Sequence, residues 1–148
     1  MTRGLLRMFL QPMIYKVSCS NKHWLIVKSQ RSEQENDMKN VYPDVDYGRD
    51  LTQHITPNFK YGEFVASEKA MQYGIKNIPN EQEWQNIEFV AKTILQPLRD
   101  KLGIPLTVNS GFRNNELNIK AGGSPASFHR LGCAVDVDTH KIPLVNVL

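Results

Sequence analysis

A chain of 148 residues with 41% hydrophobic content has room for one domain with a real core, which excludes a disordered or collagen-like polymer. It has no run near the roughly 20 apolar residues that span a bilayer, so an integral membrane segment is excluded as well. The net charge of +3 sits in residues 1–37, where six basic side chains face three acidic ones; the remainder is balanced and offers no footprint for nucleic acid.

The first 49 residues read as a leader or disordered tail. Leu5, Leu6, Met8, Phe9 and Leu10 outline a signal peptide, but Arg7 interrupts the apolar run and Pro12 cuts it short. Lys16 before Val17, Ser18 and Cys19 spoils a lipoprotein cleavage box. Residues 30–37 are polar and without periodicity, which suits a linker, and Met38 is a plausible alternative start. Two cysteines, Cys19 and Cys133, are too few for a disulfide framework.

From residue 50 to 148 the local signals describe one domain. Thr56 to Phe59 is an extended segment entering a short helix at Tyr61–Ala66, with Phe59 and Phe64 as core anchors. Ser67 is a helix N-cap and Gly74 a C-terminal stop, framing a helix over Glu68–Tyr73. Residues 77–80 form a loop. The longest helix then runs over Glu81–Leu102: Trp84, Ile87, Val90, Ala91, Ile94, Leu95 and Leu98 recur at three and four and form one core stripe. Pro97 is expected to kink it and Gly103 to end it. Ile104–Val108 and Cys133–Asp138 read as strands, the second with Cys133, Val135 and Val137 alternating against Ala134, Asp136 and Asp138.

Two segments carry the chemistry. In Ser110-Gly111-Phe112-Arg113, a glycine at a strand exit permits a tight turn, and the arginine after it is placed to enter a cleft. A guanidinium fork suits two-point binding of a substrate carboxylate; pairing with a structural acid such as Glu116 is the other reading. In the segment 127–136, His129 in a loop and Asp136 on the next strand can reach one point in space. Imidazole nitrogen and carboxylate oxygen both ligate zinc, and a hydrogen-bonded structural pair is the alternative.

Several motifs in order change this balance. Thr56-Pro57-Asn58-Phe59 with Glu63-Phe64, Leu95-Gln96-Pro97-Leu98-Arg99, Ser110-Gly111-Phe112-Arg113 with Leu117-Asn118, Gly122-Gly123-Ser124, and Ser127-x-His129-x-x-Gly132-x-Ala134-x-Asp136 resemble the zinc D-Ala-D-Ala carboxypeptidase family. That family includes vancomycin-resistance dipeptidases and phage endolysins. The resemblance spans residues 51–138 and implies an α+β, Hedgehog/D,D-peptidase-like fold, with helices packed on one side of a small, mainly antiparallel sheet. It implies Zn²⁺ as cofactor, with His129 and Asp136 as ligands, Arg113 on the substrate carboxylate and the scissile carbonyl, and Ser127 beside the metal in contact with substrate. The implied substrate is a peptidoglycan stem peptide containing D-amino acids, which puts the site of action at the cell wall, in the periplasm or outside the cell, or in the cytoplasm before phage lysis.

The same resemblance calls for a third ligand and a catalytic glutamate from a later Glu-x-x-Trp-x-His-like segment. Residues 137–148 contain neither Glu nor Trp. His140 could replace the ligand only if its strand bent around the metal; His23, His54, Glu63 and Glu116 have no motif that assigns them. The domain thus reads as incomplete at its C-terminus. An inactive relative that binds cell-wall peptide without cleaving it, or a purely structural phage or surface component, are the competing expectations.

Overall fold

The computed structural model describes residues 14–20, 23–29 and 40–139. Among them, strands β1 (Ile14–Ser20), β2 (His23–Ser29), β5 (Thr107–Ser110) and β6 (Ala134–Asp138) form one sheet in the order β2-β1-β6-β5, every pairing antiparallel. Strands β3 (His54–Thr56) and β4 (Phe59–Lys60) form a separate hairpin. Helix α1 (Glu68–Tyr73) is followed by α2 (Glu81–Val90), α3 (Gln96–Leu102) and α4 (Asn115–Lys120). The architecture is α+β, as the sequence leads one to expect.

The helix boundaries follow from their caps. Ser67 accepts a hydrogen bond from Ala70 N–H at the start of α1, and Gly74 closes that helix in the left-handed region at φ 67°. Asn80 and Glu83 form a reciprocal capping box at the start of α2. Tyr61–Phe64 is a 3₁₀ turn, shorter than the helix expected over 61–66. The anticipated kink at Pro97 takes another form. Residues Ala91–Leu95 make a π turn that joins α2 to α3, and Gln96 N–H bonds Ala91 O, five residues back. The wider turn accommodates a residue that has no N–H and whose ring crowds the preceding turn. Gly103 ends α3 at φ 63°.

The helix over 81–102 lies on one face of the sheet. Trp84, Ile87, Val90, Ala91 and Leu95 share a buried cluster with Phe59, Phe64, Val108, Val135, Val137 and, from β1, Val17. Among the described residues no helix is long and apolar enough to cross a membrane.

Three expectations are corrected. The boundary at residue 49 dissolves, because residues 14–20 and 23–29 are half of the main sheet, and Val17 is fully buried. Tyr47 is buried too, its carbonyl accepting from Trp84 Nε1 at 2.8 Å, and Arg49 is bidentate to Glu81 on α2. The charges of this segment mask two strands: β1 pairs with β6, and β2 pairs with β1. The signal-like residues 3–12, the linker at 30–37 and Met38 lie outside the described residues. Second, the strand expected over 104–108 begins at Thr107, since Pro105 cannot donate to a ladder. Third, the strand expected over 133–138 begins at Ala134, and it is buried along its whole length. It lies between β1 and β5, and Asp136 and Asp138 are buried along with Val135 and Val137.

Candidate functional site

The site assembles where β5 ends, beside the centre of β6. Ser110, the last residue of β5, pairs with Asp136, and the register slips between Val108 and Ser110 by a bulge. Bulges of this kind re-aim the residues that follow. The chain then passes the 3₁₀ turn at Tyr61–Phe64: Phe112 N–H donates to Phe64 O at 2.7 Å. Gly111 is needed for this approach. A Cβ there would lie 2.5 Å from Phe64 O and 2.8 Å from its Cα, so the glycine serves a backbone contact and not the tight turn expected from sequence.

His129 is delivered from the opposite side by a 3₁₀ turn over Phe128–Leu131. Ser127 caps this turn, its Oγ accepting from His129 N–H at 3.4 Å, and Gly132 closes it at φ 72°. Gly132 is doubly constrained, because a Cβ would also stand 2.6 Å from Glu83 O on α2. The loop before it is tied by Asn118, whose Nδ2 donates to Ser124 O at 2.9 Å and whose carbonyl accepts from Gly123 N–H at 2.9 Å. These contacts explain the spacing of Leu117-Asn118 to Gly122-Gly123-Ser124: Gly123 has no Cβ because one would collide with Asn118 Oδ1.

The two segments meet. His129 Nδ1 is 2.6 Å from Gly111 O, and Arg113 N–H donates to His129 O at 3.0 Å. A carbonyl only accepts, so Nδ1 carries the proton and Nε2 faces the other way with its lone pair in the neutral ring. There it meets Asp136 Oδ2 at 3.5 Å. The ring is fully buried and Asp136 is 7% exposed. A lone pair facing a carboxylate at this distance suits a proton on Nε2, giving an ion pair, and equally a cation held by both atoms.

The residues fit a zinc ion as far as they go. Nitrogen and oxygen ligands at about 2.0–2.2 Å on a tetrahedral metal stand about 3.4 Å apart, close to the observed gap. The Nδ1 contact to a backbone carbonyl is the kind of outer hydrogen bond that fixes a ligating imidazole. Among the described residues, however, no group of three His, Cys, Asp or Glu side chains gathers to complete a metal shell. His140 lies outside the described residues.

The other acids and histidines stand apart in role. Glu63 accepts from Lys60 N–H at 2.9 Å as a capping residue, and burial raises its carboxyl above the usual range. Glu116 is exposed in the first turn of α4, and His54 is exposed on β3. Sequence reasoning missed Asn77. It is buried, its Nδ2 donating to Val65 O at 3.1 Å and Phe112 O at 2.8 Å, while its Oδ1 accepts from Asn114 N–H at 2.8 Å. A single asparagine before Ile78-Pro79 carries no signal of that placement.

Searches of curated proteins and of solved structures return no match. The family model of Peptidase M15 matches residues 57–147, which takes in β4, helices α1 to α4, the Arg113 loop, His129 and Asp136. With more than half of its length matched in this way, the chain belongs to the Peptidase M15 family of zinc peptidases.

Proposed function

We propose that the protein is a zinc-dependent peptidase of the D-Ala-D-Ala carboxypeptidase or endopeptidase type, acting on D-amino-acid-containing stem peptides of peptidoglycan. The observation that carries this reading is the His129–Asp136 pair: Nε2 and Oδ2 are 3.5 Å apart, both groups are buried, and the far ring nitrogen is fixed on Gly111 O. When bound, zinc supplies Lewis acidity that polarises the scissile amide carbonyl and activates water. The chain's own groups do the rest. His129 and Asp136, both buried, would hold the ion. Arg113, half-buried one residue beyond the Gly111–Phe112 contact, binds the substrate carboxylate and orients the peptide. Ser127 holds the turn that presents His129 and borders the substrate. The site of action is the cell wall.

A second reading is a non-catalytic peptidoglycan-binding relative, favoured by the gathering of two ligands and not three among the described residues. Metal analysis and a cleavage assay separate them. The first reading expects one zinc per chain, release of D-Ala or cleavage of cross-links, and a loss of zinc affinity of at least about tenfold in Asp136→Asn. Retention on cell walls without cleavage supports the second. Zinc content unchanged in Asp136→Asn would overturn the assignment of the metal centre.

A further inference from the structure

The backbone around Arg113 is held by a side chain that lies far away in sequence and belongs to none of the motifs above. Two peptide planes bracket the Arg113 Cα, and the angle between them fixes where the side chain starts. The plane before it is held at both ends: Phe112 O accepts from Asn77 Nδ2 at 2.8 Å, and Arg113 N–H donates to His129 O at 3.0 Å. The plane after it is held by Asn114 N–H, which donates to Asn77 Oδ1 at 2.8 Å. Asn77 therefore touches both planes with one planar amide, and its second donated bond, to Val65 O at 3.1 Å, ties that amide to the end of the Tyr61–Phe64 turn.

Only an amide can do this. Aspartate accepts but does not donate when ionised, leucine does neither, and glutamine is a methylene too long for the same three contacts. Asn77 is itself fully enclosed, and its neighbour Lys76 is anchored as well, its carbonyl accepting from Asn114 Nδ2 at 2.9 Å. Asn114 in turn caps α4 by accepting from Leu117 N–H. Loop 76–77 and the Arg113 loop thus form one unit, packed against the turn that carries His129.

We infer that Asn77 is a positioning residue for Arg113: its amide clamps the two peptide planes around Arg113 and so aims the guanidinium at the substrate carboxylate beside His129. The substrate part of this inference rests on the proposed peptidase reading; the clamping part does not. The test compares full-length wild type, Asn77→Ala, and Trp84→Phe, which removes a buried hydrogen bond to Tyr47 O elsewhere in the fold. The first readout needs neither metal nor substrate. In Asn77→Ala, hydrogen-exchange protection of the Arg113 and Asn114 amides falls by at least about tenfold, and the Arg113 Nε–H NMR signal shifts and narrows; Trp84→Phe leaves both as in wild type. The second readout is the preference for a peptide ending in D-Ala carboxylate over the same peptide amidated. Asn77→Ala loses about tenfold of that preference, through KM and not kcat, and Trp84→Phe keeps it. If Asn77→Ala fails to fold, Asn77→Ser is read in the same way. Unchanged protection and an unchanged Arg113 signal in the folded variant overturn the clamp. A wild type without any carboxylate preference overturns the substrate role of Arg113, and leaves the amide readout to judge the clamp alone.

Discussion

At His129 a single imidazole does two jobs, and each depends on the other. Its Nδ1 contact to Gly111 O joins the two motif segments, and that same contact turns Nε2 toward Asp136. The residue types and their order were legible through the run of motifs that resembles a known family; a histidine and an aspartate seven residues apart are by themselves a weak signal that suits a structural pair equally well. The carbonyl that orients the ring was not, since a backbone acceptor leaves no trace in residue identity. Asn77 was hidden for a related reason: its three partners are all main-chain groups. Glu63 shows how an acid near a motif can be a scaffold residue. Desolvation raises its carboxyl above the usual range, outweighing the Lys60 N–H that it accepts and the nearby positive charges. The folded state therefore binds this proton more tightly than the unfolded chain. Stability is fullest below the ordinary carboxylate range and declines as pH rises through it, until the group is ionised in both states. Glu63→Gln keeps an acceptor for Lys60 N–H and removes the charge. Its melting temperature relative to wild type should rise between about pH 4 and about pH 7; a constant difference across that interval would show that ionisation of Glu63 carries no cost in the fold.

Among the elements, α1 and the helix over 81–102 announced themselves most clearly, through Ser67, Gly74 and Gly103 at their ends and the three-four spacing of Trp84 to Leu98, whereas α4, capped by Asn114, was not read. The π turn at Ala91–Leu95 was not legible, because helical periodicity persists through it and only the proline beyond it hints at a disturbance. Strand β5 was displaced from its expected place because apolar β-branched content marks buried segments in general, whereas the ladder requires donors that Pro105 lacks. The loop from Gly111 to Asn114 carries Arg113 and the carbonyl that orients His129, and its shape depends on a contact between elements. Gly111→Ala would push a methyl group into the Phe64 backbone, so we expect a loss of about 1–3 kcal/mol in urea unfolding together with weaker zinc binding, since Gly111 O orients His129. Gly122→Ala is the control. That residue sits at φ 71° with open space around its would-be Cβ, so the expected cost is about 1 kcal/mol, with zinc binding retained. Equal effects of the two substitutions on metal affinity would remove the role given to the Gly111 contact.

For the molecule as a whole, β6 is the strand on which everything converges. It carries Asp136, its valines enter the core beneath α2, and it is flanked by β5 on one side and β1 on the other. Strand β1 comes from a part of the chain whose charge and signal-like outline suggested a tail, yet Val17 is completely buried and pairs with Val135. A polypeptide beginning at Met38 would lack β1 and β2. It would leave β6 as an unprotected edge, open the core where Val17 sits, and expose the backbone next to Asp136 to water and to other chains. Since domains of this size are stable by only about 5–15 kcal/mol, the loss of two of four strands should remove most of that margin. We expect the shortened chain to melt well below the full-length protein or to aggregate on size-exclusion chromatography, and to bind zinc more weakly. If it instead shows the same melting temperature and the same zinc affinity, then the β1–β6 pairing adds nothing to the fold or to the site, and the domain begins where the charge pattern first suggested.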